Sequence, residues 1–255
     1  MEFSWEILSL LFLVALFAGF IDSIAGGGGL ITIPTLLSLG LSPAIALGTN
    51  KLQACGGSFA ASLYFIRKKI VSPKQIWLFI LLTFIGAALG TISVQILETE
   101  ILNAILPFLI LCIALYFLFS PRLKDEDSRQ RINDSTFAFG IAFSIGFYDG
   151  LFGPATGSFF TLAFLLLLGY NLTKSVAHAK VLNFTSNLAS LLFFILGGAI
   201  IWKIGLIMMA GQLIGGSLGA KMVVTKGKKI IRPLIVTISL LMTAKMFFQQ
   251  GYFSF

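Results

Sequence analysis

The sequence predicts an all-α polytopic membrane protein, made of two inverted-topology repeats with broken or short helices near the membrane midplane. Three observations predict it. Apolar residues make up 57% of the 255 residues and charged residues 11%, against about 45–50% and about 25% in an average soluble domain. So few charges could not wet the surface of a soluble protein this size, whereas a bilayer makes the composition reasonable. Second, long apolar runs fill the chain. Third, the two halves share an ordered series of residues.

The runs lie at about 5–24, 28–41, 44–66, 75–97, 101–119, 136–152, 155–170, 173–197, 202–222 and 231–250. Many reach the roughly 20 residues that cross a hydrocarbon core of about 30 Å. The first has only Glu2 and Glu6 as early charges and no small-residue cleavage site after it, so it reads as a retained helix rather than a signal peptide. The second and seventh runs are shorter, and are either embedded short spans or arms of re-entrant hairpins. The polar stretch Ser120–Ser135 separates residues 1–119 from residues 136–255 and reads as a solvated cytoplasmic linker.

The halves correspond in order. GFIDSIAG at Gly19–Gly26 precedes GFYDGLFG at Gly146–Gly153 by 127 positions, and the offset then settles at 129. Lys51 matches Lys180, Ser58 matches Asn187, Lys74 matches Lys203, Gly86 matches Gly215 and Gly90 matches Gly219; Pro107 and Pro233 match at an offset of 126. Such a series over much of each half points to internal duplication.

Charge sets the orientation. Arg67, Lys68, Lys69 and Lys74 mark a cytoplasmic loop, whereas the loop with Glu98 and Glu100 faces outward. Its counterpart in the second half carries Lys221, Lys226, Lys228, Lys229 and Arg232, and so faces inward. The repeats are therefore opposed, with both termini on the outer face of a plasma (inner) membrane. Lys203 is an exception at the outer edge that snorkelling accommodates.

The net charge of +8 comes from loop clusters of this kind and does not point to nucleic acid. Cys55 and Cys112 sit inside apolar runs and read as small hydrophobes. No metal-ligand spacing or cofactor motif is expected. Trp5, Trp77 and Trp202 stand near segment ends as interfacial anchors. Gly86–Gly90 and Gly215–Gly219 have the GxxxG spacing that permits close helix contact.

Three groups carry the candidate chemistry. The first is the glycine break Gly26, Gly27, Gly28 and Gly29, repeated as Gly153, Thr156 and Gly157 around Pro154 and Ala155. Each glycine costs about 1 kcal/mol in a helix relative to alanine. A new helix N-terminus presents free N–H groups and partial positive charge that suit an anion; a tight packing turn is the alternative. The second is Asp22 with Asp149, at equivalent repeat positions. Intramembrane carboxylates are costly and face the protein interior. They serve either in proton coupling or structurally, accepting hydrogen bonds from the break that follows. The third is a polar stripe: Thr49, Asn50, Lys51 and Gln53 in one half, and His178, Lys180, Asn183 and Asn187 in the other. Lys180, Asn183 and Asn187 share one helix face. Lys51 lies roughly 12 Å past Pro43, and Lys180 roughly 9 Å past Lys174, at 1.5 Å per residue. The two lysines thus approach the middle from opposite sides and can cage an anion, unless they snorkel to the surface. His178 is either a packed residue or a proton relay.

The motifs GFIDSIAGGGGLITIP at Gly19–Pro34 and LGTNKLQ at Leu47–Gln53 resemble the TauE/SafE sulfite-exporter family, also called the 4-toluene sulfonate uptake permease family. GFYDGLFGPATGSF at Gly146–Phe159 and AKVLNFTSN at Ala179–Asn187 resemble the partner motifs. The resemblance spans nearly the whole chain. It implies a plasma-membrane transporter linked to sulfite, sulfonates or related compounds, with fewer spans than ten runs suggest. Together with the residues, it points to a secondary transporter of a small anion, either sulfur-containing or an organic carboxylate. The remaining alternatives are an anion channel and an intramembrane aspartyl enzyme.

Overall fold

The computed structural model describes residues 3–102, 104–106, 108–109, 112 and 126–226. Most of the run at 101–119, the first part of the linker, Pro107, Pro233, Lys228, Lys229, Arg232 and the run at 231–250 lie outside the described residues.

The described chain is helical. Helix α1, Trp5–Ala25, starts on Ser4, whose hydroxyl accepts the Ile7 N–H, and ends on Gly26 in the left-handed conformation (φ 78°). Helix α2, Gly28–Ser38, is short and contains Pro34. Helix α3, Pro43–Arg67, begins with proline in its first turn, where the missing N–H is harmless. Helix α4 is Trp77–Ile96. A short helical turn, Asp134–Thr136, leads through a π-helical stretch, Phe137–Ala142, into α5, Phe143–Leu151. The second short helix, α6, is Thr156–Leu167. Helix α7, Leu172–Leu196, is capped by Asn171, and α8 is Trp202–Lys226. By length and composition α1, α4, α7 and α8 can each cross a membrane. Helix α3 has 25 residues but is more polar.

Helix directions follow from the closest approaches. Along α1 and α8, Gly211 lies against Phe12, Gly215 against Leu16 and Gly219 against Phe20, so the two helices run the same way. Along α4 and α5, Gly86 meets Phe143 and Gly90 meets Phe147, so these also run together. Between α3 and α7 the order reverses. Gly48, at the start of α3, meets Ala199 just beyond α7, whereas Ser62 donates to the Lys180 carbonyl near the start of α7. Added Cβ atoms at Gly90 and Gly215 would fall 2.1 and 1.9 Å from backbone oxygens. The two small-residue motifs therefore form close helix crossings.

The short helices turn back. Leu36, near the end of α2, packs with Leu8 and Leu11 near the start of α1. Phe164, near the end of α6, lies 4.8 Å from Phe137, just before α5. At about 1.5 Å per residue, α2 and α6 are too short to cross 30 Å. Each returns toward the start of the helix before it, so that α1 with α2 and α5 with α6 form helical hairpins.

Trp5, Trp77 and Trp202 are the first residues of α1, α4 and α8 and are exposed. Lys203 lies 5.8 Å from the centre of the Trp5 ring. Cys55 is buried, whereas Cys112 is exposed rather than packed among helices. The described part of the linker is mostly exposed but is not merely solvated. Ser128 N–H donates to Gly169 O, Arg131 N–H to Leu167 O, and Asp127 accepts the Asn171 N–H, so the strand docks on the α6–α7 turn.

Candidate functional site

The tips of the two hairpins meet in the interior. A Cβ on Gly26 would lie 2.1 Å from Ser158 N, and one on Gly157 would lie 2.8 Å from Gly26 Cα. Gly29 faces Pro154, and the Ser158 hydroxyl donates to the Ala25 carbonyl. Gly26 (φ 78°) and Gly153 (φ 89°) both take the left-handed conformation, each four residues after an aspartate. Glycine adopts that geometry without steric cost, so the breaks end α1 and α5 sharply and bring bare backbone together.

Two ion pairs bracket this junction, and they are crossed between the halves. Lys51 Nζ on α3 lies 2.9 Å from Asp149 Oδ1 at the end of α5 and also donates to the Asp149 carbonyl. Lys180 Nζ on α7 lies 2.7 Å from Asp22 Oδ2 at the end of α1. Neither lysine snorkels. Their side chains and that of Asp149 are 1% exposed; Asp22 is 15% exposed. Helix α3 holds Lys51 here because small residues at Gly48, Gly56 and Gly57 let α7 and α8 pack closely against it.

The aspartates also bind the breaks. Asp22 Oδ1 accepts the Gly28 N–H at 3.1 Å, so it meets the first free amide of α2. Asp149 Oδ1 accepts the Thr156 hydroxyl at 2.6 Å, at the start of α6. Of the two aspartate roles read from sequence, the structural one is visible in these bonds. Asp149 Oδ2 is buried without a hydrogen-bond partner among the described residues.

Asn50 joins the cluster through Thr32, whose hydroxyl donates to Asn50 Oδ1 at 2.6 Å, and through Gln53, whose amide donates to the same oxygen at 2.7 Å. Gln53 Oε1 is buried and unpartnered among the described residues. Asn183 and Asn187 are buried on α7, but among the described residues no hydrogen bond ties their amides to the ion pairs. His178 is a packed residue: Nδ1 lies 2.7 Å from Lys174 O, and the ring sits between Phe164 and Tyr170. A Cβ added to Gly27 would meet the Leu30 side chain at 3.7 Å, an ordinary contact.

Sequence reasoning missed Thr32, Thr161 and Ser158, and weighed Tyr148 only beside Asp149 in the aspartyl-enzyme alternative. Thr32 donates to Gly28 O, and Thr161, 129 positions later, donates to Gly157 O. That shared offset was the available signal. Tyr148 donates to Pro154 O at 2.7 Å and braces the second break; nothing in its spacing marks it.

Apolar helices of spanning length around two helical hairpins and a charged, glycine-lined interior fit a multi-pass membrane transporter. Residues 11–246 match the family described as Sulfite exporter TauE/SafE, and the chain belongs to it. It is 56% identical over 255 residues to a probable membrane transporter protein of Haemophilus influenzae, covering 100% of both chains. It is 53% identical over 244 residues to the probable membrane transporter protein YfcA of Escherichia coli K12, covering 96% of this chain and 91% of that one. The probable membrane transporter protein YunE of Bacillus subtilis is 24% identical over 270 residues, covering 96% and 98%. No solved structure matches the chain.

Proposed function

We propose that this transporter carries a small anion, a sulfur oxyanion such as sulfite, a sulfonate or an organic carboxylate, by alternating access around the junction of the two hairpins. The supporting observation is the crossed pair of ion pairs. Each lysine already holds a carboxylate, and Asp22 also takes a helix N-terminal amide. The junction therefore contains the donors an anionic substrate needs, with internal carboxylates in the substrate's place. A transported anion competes with them for Lys51 and Lys180, while Asn50, Gln53, Asn183, Asn187, Gly153, Thr156 and Gly157 supply or shape the surroundings.

The opposite senses of α1 and α5, and of α3 and α7, support reading residues 1–119 and 136–255 as inverted repeats joined by the linker. Inverted repeats can exchange conformations and so expose one site to either face. Inner-membrane placement with both termini outside follows from the loop charges. An aspartyl enzyme needs two carboxylates sharing protons, whereas here each carboxylate binds a lysine of the other half. Saturable flux distinguishes a carrier from a channel.

Uptake of labelled sulfite, methanesulfonate and thiosulfate into proteoliposomes tests the reading. Lys51→Ala and Lys180→Ala are expected to abolish saturable uptake of the transported anion. Normal transport by either variant removes the lysines from the site.

A further inference from the structure

We propose that protons travel with the anion, one for each negative charge carried, and that Asp22 and Asp149 hold them; this rests on the anion reading above. The argument starts from the charge of the junction. Two ammonium groups and two carboxylates lie in direct contact there, at 2.9 and 2.7 Å, so the cluster is neutral as it stands. Three of the four side chains are sealed from solvent.

An anion that enters must take a lysine from a carboxylate. If both aspartates stay ionised, the occupied junction carries net negative charge in an interior that penalises uncompensated charge severely. Adding one proton to an aspartate for each incoming negative charge restores neutrality and releases an ammonium for the substrate. A proton and an anion thus favour each other's binding by the same factor, as linkage requires. Two aspartates set the capacity at two protons, which matches a divalent anion.

The geometry provides seats for these protons. Asp149 Oδ1 is occupied by Lys51 and Thr156, whereas Oδ2 is buried and has no hydrogen-bond partner among the described residues. Asp22 is the less buried of the two, at 15% against 1%.

The surrounding groups leave few competitors. Around Asp149, α3 contributes Lys51 and Cys55 and α5 itself has Tyr148, whereas on α7 Lys180 is paired with Asp22 and His178 lies between Phe164 and Tyr170. Helices α4 and α6 carry no titratable side chain. Around Asp22, α2 has none, α3 and α7 bring Lys51 and Lys180, and α8 carries lysines only toward its ends, at Lys203, Lys221 and Lys226. His178 is held on Lys174 O.

The test uses the wild-type protein in proteoliposomes with a pH-sensitive dye in the lumen and the voltage clamped by potassium and valinomycin. Methanesulfonate and thiosulfate serve as probes, because their charges do not change near neutral pH. The expected result is lumenal acidification during uptake, with one proton per methanesulfonate and two per thiosulfate, and uptake indifferent to voltage. The half-saturating concentration of methanesulfonate should rise by up to about tenfold per pH unit on the alkaline side. Saturable uptake without acidification, or uptake that follows the voltage, overturns the coupling and leaves the anion reading standing. Absence of saturable uptake at every pH of both probes, and also of sulfite and of acetate, overturns both. Asp149→Asn and Asp22→Asn are each expected to lower the thiosulfate ratio from two to one. A variant that fails to fold leaves the wild-type ratio to decide.

Discussion

At the residue scale, the four charges of the junction depend on one another. Removing one partner of a buried ion pair leaves the other unpaired and costs about 3–5 kcal/mol. Asp149→Ala is therefore expected to destabilise the detergent-solubilised protein by that order, measured by thermal unfolding. The pair-preserving exchange Lys180→Asp with Asp22→Lys should recover most of the stability lost by either single change, since the 2.7 Å contact can re-form with its ends reversed. If the double variant is as unstable as the sum of the singles, the pair is not the source of the effect. Sequence alone showed that these four residues were special, because intramembrane charges at equivalent repeat positions stand out. It did not show who pairs with whom. Partner choice depends on which helix of one half abuts which hairpin of the other, and spacing within a segment carries no such information.

At the element scale, the hairpin tips depend on glycine to different degrees. Gly26 has a left-handed φ and backbone atoms of the other hairpin 2.1 Å from its would-be Cβ. Gly27, beside it, has its nearest neighbour at 3.7 Å and an ordinary φ. Gly26→Ala is expected to abolish folding or transport, whereas Gly27→Ala should shift the melting temperature little. Equal effects would mean that the run acts through flexibility and not through contact. The run of four glycines was legible as a break, but its members could not be ranked. Close approach belongs to the opposing hairpin, far away in sequence. The length of the short runs left two fates open, a buried span or a returning arm. The shared cluster of Leu36 with Leu8 and the packing of Phe164 on Phe137 favour the returning arm.

At the scale of the whole molecule, the halves are equivalent in sequence order but not in exposure. Asp22 is 15% exposed and Asp149 1% among the described residues, so the two ion pairs differ in how tightly they are packed. A water-soluble carbodiimide with an amine nucleophile should label Asp22 faster than Asp149, read by peptide mass spectrometry. Conditions that favour the opposite conformation should reverse the order. Equal labelling would show that exposure does not distinguish the two ends. Composition and loop charge made the membrane setting and the two-part plan readable. The asymmetry was not readable, because a duplicated pattern describes both conformations equally well.

The barrier between the two hairpins has a consequence for leakage. Where Gly26 meets Gly157, main chain of one hairpin tip lies directly against main chain of the other. A septum of that kind has no rotamers to swing aside and no crevices between side chains through which water could thread. It leaves no gap between the two tips while the backbones touch. It opens only when one whole arm lifts, so solvent wires are broken between turnovers and a cell's ion gradients are spared.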